Sequence, residues 1–295
     1  MNQLEKDGHQ GETTLVRPQE GRDTGIDVRE HLLQQILIEM LMLRRSYSRL
    51  TQQQLAEKMT GLPSLLRGFA TKFEVPPEDL PIRETHADTG YSLWTDTYDQ
   101  VETNEVILGE EEIIWPLIGD VCGKRALDAG CGTGRHSIPL VQKGATVVAS
   151  EPTDAMLLKA QAKASAKGLD VSWRRDTIDS LPAELGQFDL VLCCLVLSHV
   201  ENFHEAVAKL ASYVRPGGNL ILTDFHPFCM LLGLRSYCYS GGQKILVPNF
   251  IHLPSEYVAA LARVGLRVTD FLEPANIPEL PGIPSTLIIK ATKFS

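Results

Sequence analysis

Over the last two thirds of the chain, short apolar runs alternate with longer stretches in which apolar residues recur at helical spacing. The runs Arg125–Ala129, Thr146–Ser150, Val171–Arg174, Phe188–Leu195, Asn219–Asp224, Leu266–Leu272 and Ser285–Ala291 predict seven strands. Between and before them, Glu105–Ile118, Arg135–Lys143, Asp154–Lys167, Phe203–Val214 and Ser255–Val264 read as helices. That alternation predicts an α/β fold, a doubly wound and mostly parallel seven-stranded sheet with crossover helices. The segment 225–253 is rich in Gly, Tyr, His and Phe and shows no clear periodicity. A long irregular stretch in a compact domain is usually functional, so it reads as a substrate loop or lid.

The first third has another texture. Residues 1–27 are polar and charged and predict a disordered tail. A helical pattern then runs from Val28 to Leu50, and its segment Ile36–Leu43 is apolar nearly all round. Such a helix must be buried on most sides. Further helical patches cover Thr51–Met59 and Leu62–Phe73, Pro76-Pro77 breaks the pattern, and a linker is expected up to Thr89. The division is therefore a helical extension over 28–89, acting as an interface or lid, and a main domain over 90–295. The apolar run favours a homo-oligomer held through the N-terminal helices.

Composition narrows the partners. The 295 residues carry a formal net charge of −9, and a chain this acidic attracts nucleic acid and anionic membranes poorly. No apolar run approaches the roughly 20 residues needed to span a bilayer. The six cysteines are scattered and form no C-x-x-C pair, which fits a reducing, cytoplasmic setting.

The strongest local signal is Asp128-Ala129-Gly130-Cys131-Gly132-Thr133-Gly134, set between a strand and a helix. Glycines there permit a tight turn and let a ligand touch the backbone. The spacing is G-x-G-x-G, and Arg135 stands where a dinucleotide fingerprint has its third glycine. Asp128 would repel a pyrophosphate but attracts the ammonium and sulfonium of S-adenosylmethionine, which has no phosphate. Glu151 ends the next strand, 19 residues after Gly132, where a carboxylate accepts both hydroxyls of an unphosphorylated ribose.

Leu127 to Gly134 resembles the glycine-rich motif of class I S-adenosylmethionine-dependent methyltransferases, and the resemblance extends over about Tyr91 to Lys293. It implies the Rossmann-like fold of that family, S-adenosylmethionine as cofactor, and Asp128, Gly130, Gly132, Gly134 and Glu151 as cofactor-binding residues. It further implies Asp176 near the adenine amino group, and Met156 either on the adenine or simply in the core. Phe188–Leu192, Leu197-Ser198-His199-Val200 and Arg215-Pro216-Gly217-Gly218 resemble later pieces of the same family in the same order. In similar enzymes a helix before the core covers the cofactor, which places Tyr98 at the methionine end and Tyr91 beside the acceptor.

Methyl transfer from a sulfonium needs alignment and sometimes removal of a proton, but no obligatory metal. Ligands of open α/β sheets lie outside the carboxyl ends of the strands, which nominates His199, Asp224 and His226. His226 directly follows the fifth strand and is the expected base; His199 either orients the cofactor loop or shares in the chemistry. His252 and Tyr257 follow the long loop and are expected to close over the acceptor. His199, His226 and His252 lack metal-ligand spacing, so no metal is expected. Cys194-Leu195-Val196-Leu197 stands where nucleic-acid amino-methylating enzymes carry an Asn-Pro-Pro-Tyr-like segment, which favours a small-molecule acceptor for an O-, N- or C-methyl group. The rival function is a DNA-binding regulator with a ligand-sensing domain. Leu50–Met59 resembles the opening of a repressor-type helix-turn-helix, yet Thr60–Ser64 is too short to hold a recognition helix.

Overall fold

The structure is a computed structural model that describes residues 82–100, 105–275 and 282–294. The tail over 1–27, the apolar helix, the helix-turn-helix-like stretch and the oligomer contact expected of them lie outside the described residues.

In chain order the strands are β1 (Ile82–Glu84), β2 (Arg125–Ala129), β3 (Thr146–Ser150), β4 (Ser172–Arg174), β5 (Phe188–Cys194), β6 (Val214–Phe225), β7 (Tyr237–Ser240), β8 (Gln243–Leu246), β9 (Leu266–Leu272) and β10 (Thr286–Lys293). The α-helices are α1 (Ala87–Tyr98), α2 (Glu105–Ile118), α3 (Ser137–Gln142), α4 (Asp154–Ala166), α5 (Phe203–Ser212), α6 (Pro227–Leu231) and α7 (Pro254–Arg263). Seven strands form one sheet in the order β4-β3-β2-β5-β6-β10-β9. The pairs from β4 through β6 are parallel, whereas β10 runs antiparallel to both β6 and β9. This is the predicted mostly parallel, doubly wound sheet, with its order reversing between β2 and β5.

The two-residue period of the strands explains why the runs read as continuously apolar: both faces are covered. Leu127, Ala129, Val191 and Cys193 join a core with Phe203, Val207 and Leu210 of α5 and Leu261 of α7. Ala126, Leu190 and Leu192 point to the other side, into a core with Ile114 of α2, Ile138 and Leu140 of α3 and Ala164 of α4.

Two expectations are corrected. The segment 225–253 is no featureless loop: it holds α6 and a hairpin of β7 and β8 joined at Gly241-Gly242, both at positive φ (56° and 71°). A two-residue Gly-Gly connection matches the twist of antiparallel strands. The stretch before Thr89 is not merely a linker either. β1 pairs in parallel with β8, making a three-stranded sheet in the order β1-β8-β7, and α1 begins at Ala87. Helix α1 packs on α4 and on β7, so it lies across the carboxyl ends of the large sheet's first strands.

Candidate active site

The turn after β2 is shaped by its glycines. Gly130 and Gly132 adopt φ of 76° and 54°, a region L side chains rarely occupy. The N–H groups of Gly130 and Cys131 donate to the Ser150 carbonyl at the end of β3, at 2.8 and 2.9 Å. A Cβ on Gly130 would run into Val196, whereas one on Gly132 would meet nothing within 4 Å. Open space therefore lies beside Gly132, while Gly134 is closely packed by Ala160, Ile138 and Trp173.

Glu151 sits beside that opening, buried, and receives the N–H of Gly132 at 3.0 Å and of Thr153 at 2.9 Å. Burial pushes its carboxyl up, against those two hydrogen bonds. Asp128 is also buried; Ser137 Oγ donates to its Oδ2 at 2.5 Å, and burial raises its pKa as well. The hydroxyl of the adjoining Ser150 is buried without a hydrogen-bond partner. Two enclosed carboxylates of raised pKa flank the glycine turn, and a cationic ligand would favour their charged forms. That pair of acceptors, with the space beside Gly132, fits the amino-acid and ribose ends of S-adenosylmethionine.

Helix α1 adjoins the glycine turn. Its last turn is fastened to the glycine turn and to α4: Thr133 Oγ1 donates to Asp99 Oδ1 at 2.5 Å, and the Lys159 and Lys163 ammoniums stand 3.2 Å from Asp99 Oδ2. Tyr98 is held protonated by burial, its pKa pushed up to about 12, and it stands within electrostatic reach of Arg135, Glu110 and Glu151. Tyr91, two turns earlier, meets Trp94 in a stacked contact of 5.7 Å between ring centroids. Its hydroxyl lies 2.8 Å from His199 Nε2.

His199 follows β5, where Leu195, at a φ of 59°, ends the strand and turns the chain over. Its Nδ1 lies 2.6 Å from the Pro248 carbonyl, and burial holds its pKa below the ordinary value. Asp224, at the end of β6, is buried and fully engaged. It accepts the N–H of Ser198 at 2.7 Å, the Tyr257 hydroxyl at 2.8 Å and the N–H of Phe225 at 2.9 Å.

The other sequence-predicted residues are placed differently. His226 is buried on the β10 and β9 side of the sheet: its N–H donates to the Ser285 carbonyl, its Nδ1 accepts the N–H of Phe228 at 3.1 Å as the cap of α6, and its Nε2 faces Glu273 at 3.1 Å. Both ring nitrogens are occupied, so the expected base is a structural residue. His252 is buried, bonds the Val200 carbonyl through Nε2 at 2.8 Å, and stacks on Phe203. Tyr257 is buried against Asp224. Both brace the loop after β5 from within instead of closing over it. Met156 is enclosed in α4, and Asp176 is paired with Arg174 at 2.6 Å beyond β4.

One cluster carried no advance signal beyond the Arg that follows the glycines. Glu110 of α2, fully buried, is bonded by Arg135 and by Thr223 Oγ1, with His136 Nε2 at 3.5 Å and the Cys194 thiol nearby. Burial favours the neutral acid, but Arg135 and His136 override it and hold Glu110 far below the usual carboxylate range. Glu110, His136 and Cys194 converge as metal ligands would, yet the Arg135 guanidinium already occupies the carboxylate and would repel a cation.

Residues 126–218 match the methyltransferase domain family. The chain is 41% identical over 158 residues to a ubiquinone biosynthesis O-methyltransferase of Methylocella silvestris, covering 50% of this chain and 60% of that protein. Against the Pseudomonas entomophila protein of the same name it is 32% identical over 163 residues, covering 52% and 68%. It spans about half the length, 53%, of an uncharacterized protein of Mycobacterium bovis to which it is 31% identical. Among solved structures, magnesium protoporphyrin IX methyltransferase from Synechocystis with bound S-adenosylmethionine superposes with a TM-score of 0.53 at 23% identity, covering 70% of this chain and 92% of that one. At that identity the likeness is one of fold.

Proposed function

The chain belongs to the class I S-adenosylmethionine-dependent methyltransferases, and from that premise we propose that it binds S-adenosylmethionine in the cradle between β2 and β3 and methylates a small molecule. The observation that carries this reading is the Glu151 carboxylate bonded to the Gly132 N–H beside an open space, with Asp128 buried beneath the same turn. Glu151 would take the ribose hydroxyls, Gly132 and Tyr98 the methionine end, and Met156 and Asp176 the adenine side. When bound, S-adenosylmethionine supplies an electrophilic methyl group whose bonding pair to sulfur stays on sulfur, leaving a neutral thioether. The protein's part is alignment and exclusion of water. Helix α1, fastened to Thr133 and Lys163 at one end and to His199 in its second turn, is the cover that does both.

The acidic charge of −9 supports an acceptor other than nucleic acid. Among the described residues no helix is long and apolar enough to cross a membrane. The six unpaired cysteines support a reducing, cytoplasmic setting. The apolar run 36–43 supports an oligomer through the N-terminal segment. The regulator reading rests on residues outside the described structure and is not adopted.

Calorimetry tests the cofactor. S-adenosylhomocysteine should bind at micromolar Kd or tighter, about −8 kcal/mol, and NAD should not bind. Binding of NAD without S-adenosylhomocysteine would overturn the reading.

A further inference from the structure

A chain of hydrogen bonds crosses the site from the hairpin segment to the cover helix. The Pro248 carbonyl only accepts, so its 2.6 Å contact places the His199 proton on Nδ1. Nε2 is then a bare lone pair, and the 2.8 Å contact with Tyr91 makes the phenol the donor. The ring cannot turn without giving up Pro248, and the segment carrying Pro248 is itself tied down, since the Phe250 N–H donates to the Ser198 carbonyl at 2.6 Å. Asp224, fixed by Ser198, Tyr257 and Phe225, lies within electrostatic reach of the imidazole, and its charge favours a proton on His199. Tyr91 in turn lies within electrostatic reach of both Glu151 and Asp224. The phenol thus lies within reach of the proposed ribose acid and of the end of β6, and its bond to His199 brings it to the loop after β5, beside the point where the strand order reverses and ligands of such sheets sit.

We propose that Tyr91 and His199 form a proton relay for a hydroxyl acceptor of the phenol or enol class, with Tyr91 touching the acceptor and His199 receiving the proton. The proposal rests on the methyltransferase reading. As the acceptor oxygen attacks, its O–H bond breaks. The electron pair stays on oxygen, while the proton passes to Tyr91 Oη and the phenol's own proton passes to His199 Nε2. Tyr91 ends as it began, His199 becomes imidazolium facing Asp224, and the proton is later lost to water. Burial holds the Tyr91 pKa well above its ordinary value, so the phenol serves as a conduit and is not itself a standing phenolate. The two transfers are coupled, so neither a free phenolate nor a doubly protonated oxygen forms on Tyr91. An amine with a free lone pair would need no such device, which is why the geometry selects a hydroxyl that is neutral at working pH.

The test uses the full chain, S-adenosylmethionine and two probe acceptors: 4-methylphenol, neutral at pH 7, and 4-nitrophenol, largely ionised there. Formation of S-adenosylhomocysteine is measured for wild type, Tyr91→Phe and His199→Gln, with calorimetric S-adenosylhomocysteine affinity as the control for folding. Turnover on 4-methylphenol should fall roughly 10²–10⁴-fold in each variant. The ratio of 4-nitrophenol to 4-methylphenol turnover should rise by a similar factor, because an ionised acceptor needs no relay. Equal losses on both phenols, the mark of a latch that merely seats α1, would overturn the relay. Should a variant lose the nucleotide altogether, nitrogen-15 NMR of wild type decides: His199 protonated on Nδ1 upholds the relay's direction, and protonation on Nε2 overturns it. A wild type that binds S-adenosylhomocysteine but methylates neither phenol sinks the acceptor class alone. One that does not bind S-adenosylhomocysteine sinks the methyltransferase reading first.

Discussion

Alanine at Gly130 and at Gly132 separates what the turn needs to fold from what it needs to bind. Both positions have positive φ, 76° and 54°, so each alanine carries left-handed strain of about 1–2 kcal/mol. Gly132→Ala meets nothing further within 4 Å. Gly130→Ala also drives a methyl into the Val196 side chain, an overpacking cost of about 1–3 kcal/mol. The totals are about 1–2 against about 2–5 kcal/mol, which in a domain of this size means Tm losses of roughly 2–8 °C and 4–20 °C. Ligand affinity should rank the other way. If the space beside Gly132 is where the nucleotide lies, a methyl there costs about 1–3 kcal/mol of binding, or roughly 5- to 150-fold in Kd. Scanning fluorimetry without ligand and calorimetry with S-adenosylhomocysteine, on both variants, give the two orders. Wild-type affinity in a folded Gly132→Ala protein would mean that the ligand lies elsewhere.

Glu151→Ala strands the N–H groups of Gly132 and Thr153 as well as the ribose partner, so Tm and S-adenosylhomocysteine affinity should fall together, by about 1.5–3 kcal/mol for each charged hydrogen bond lost; loss of affinity at unchanged Tm in thermal unfolding would contradict this. Methyl transfer should survive chelation, because the carboxylate of the Glu110, His136 and Cys194 cluster is taken by Arg135; inactivation by EDTA reversed by one divalent ion would refute it. Glu110 has a folded-state pKa below its unfolded value of about 4.3, so its stabilisation is complete above that value and is lost as pH falls through the folded pKa. Urea titrations should therefore show wild type losing its margin over Glu110→Gln as pH drops below about 4, and a margin that is constant from pH 7 to pH 3 would contradict the assignment.

The sheet was legible because its central strands are buried on both faces, and such strands announce themselves as unbroken apolar runs. β2, β3 and β9 lie where the pattern puts them, as does α2. Glu151 follows β3 directly, where the strand pattern puts it, and its contact with the Gly132 N–H brings it beside the glycine turn. The hairpin was missed although Tyr237-Cys238-Tyr239-Ser240 alternates in burial and Gly241-Gly242 marks the turn. Four-residue strands carry too few periods to stand out beside the neighbouring aromatics. The pairing of β1 with β8 joins residues about 160 apart in sequence, and no local pattern announces it. Glu110 and Arg135 were likewise ordinary helix-face charges until the fold closed them together.

The histidines show where chain order stops being informative. His199 and His226 each follow a parallel strand of the large sheet, and His252 lies in the segment between β8 and α7. Position alone therefore nominates all three. What separates them is the use of each lone pair. His226 spends Nδ1 on the N–H of Phe228 and turns Nε2 to Glu273, so its imidazole ties α6 to the end of β9. His252 spends Nε2 on a carbonyl and its face on Phe203. His199 alone among these three has a ring nitrogen that accepts from a hydroxyl, and that nitrogen is bare only because Pro248 claims the other. Pro248 follows the hairpin whose strand β8 pairs with β1 and whose strand β7 packs on α1. That segment thus sets the tautomer of the proposed relay, and a change in it that displaced the Pro248 carbonyl would alter proton transfer.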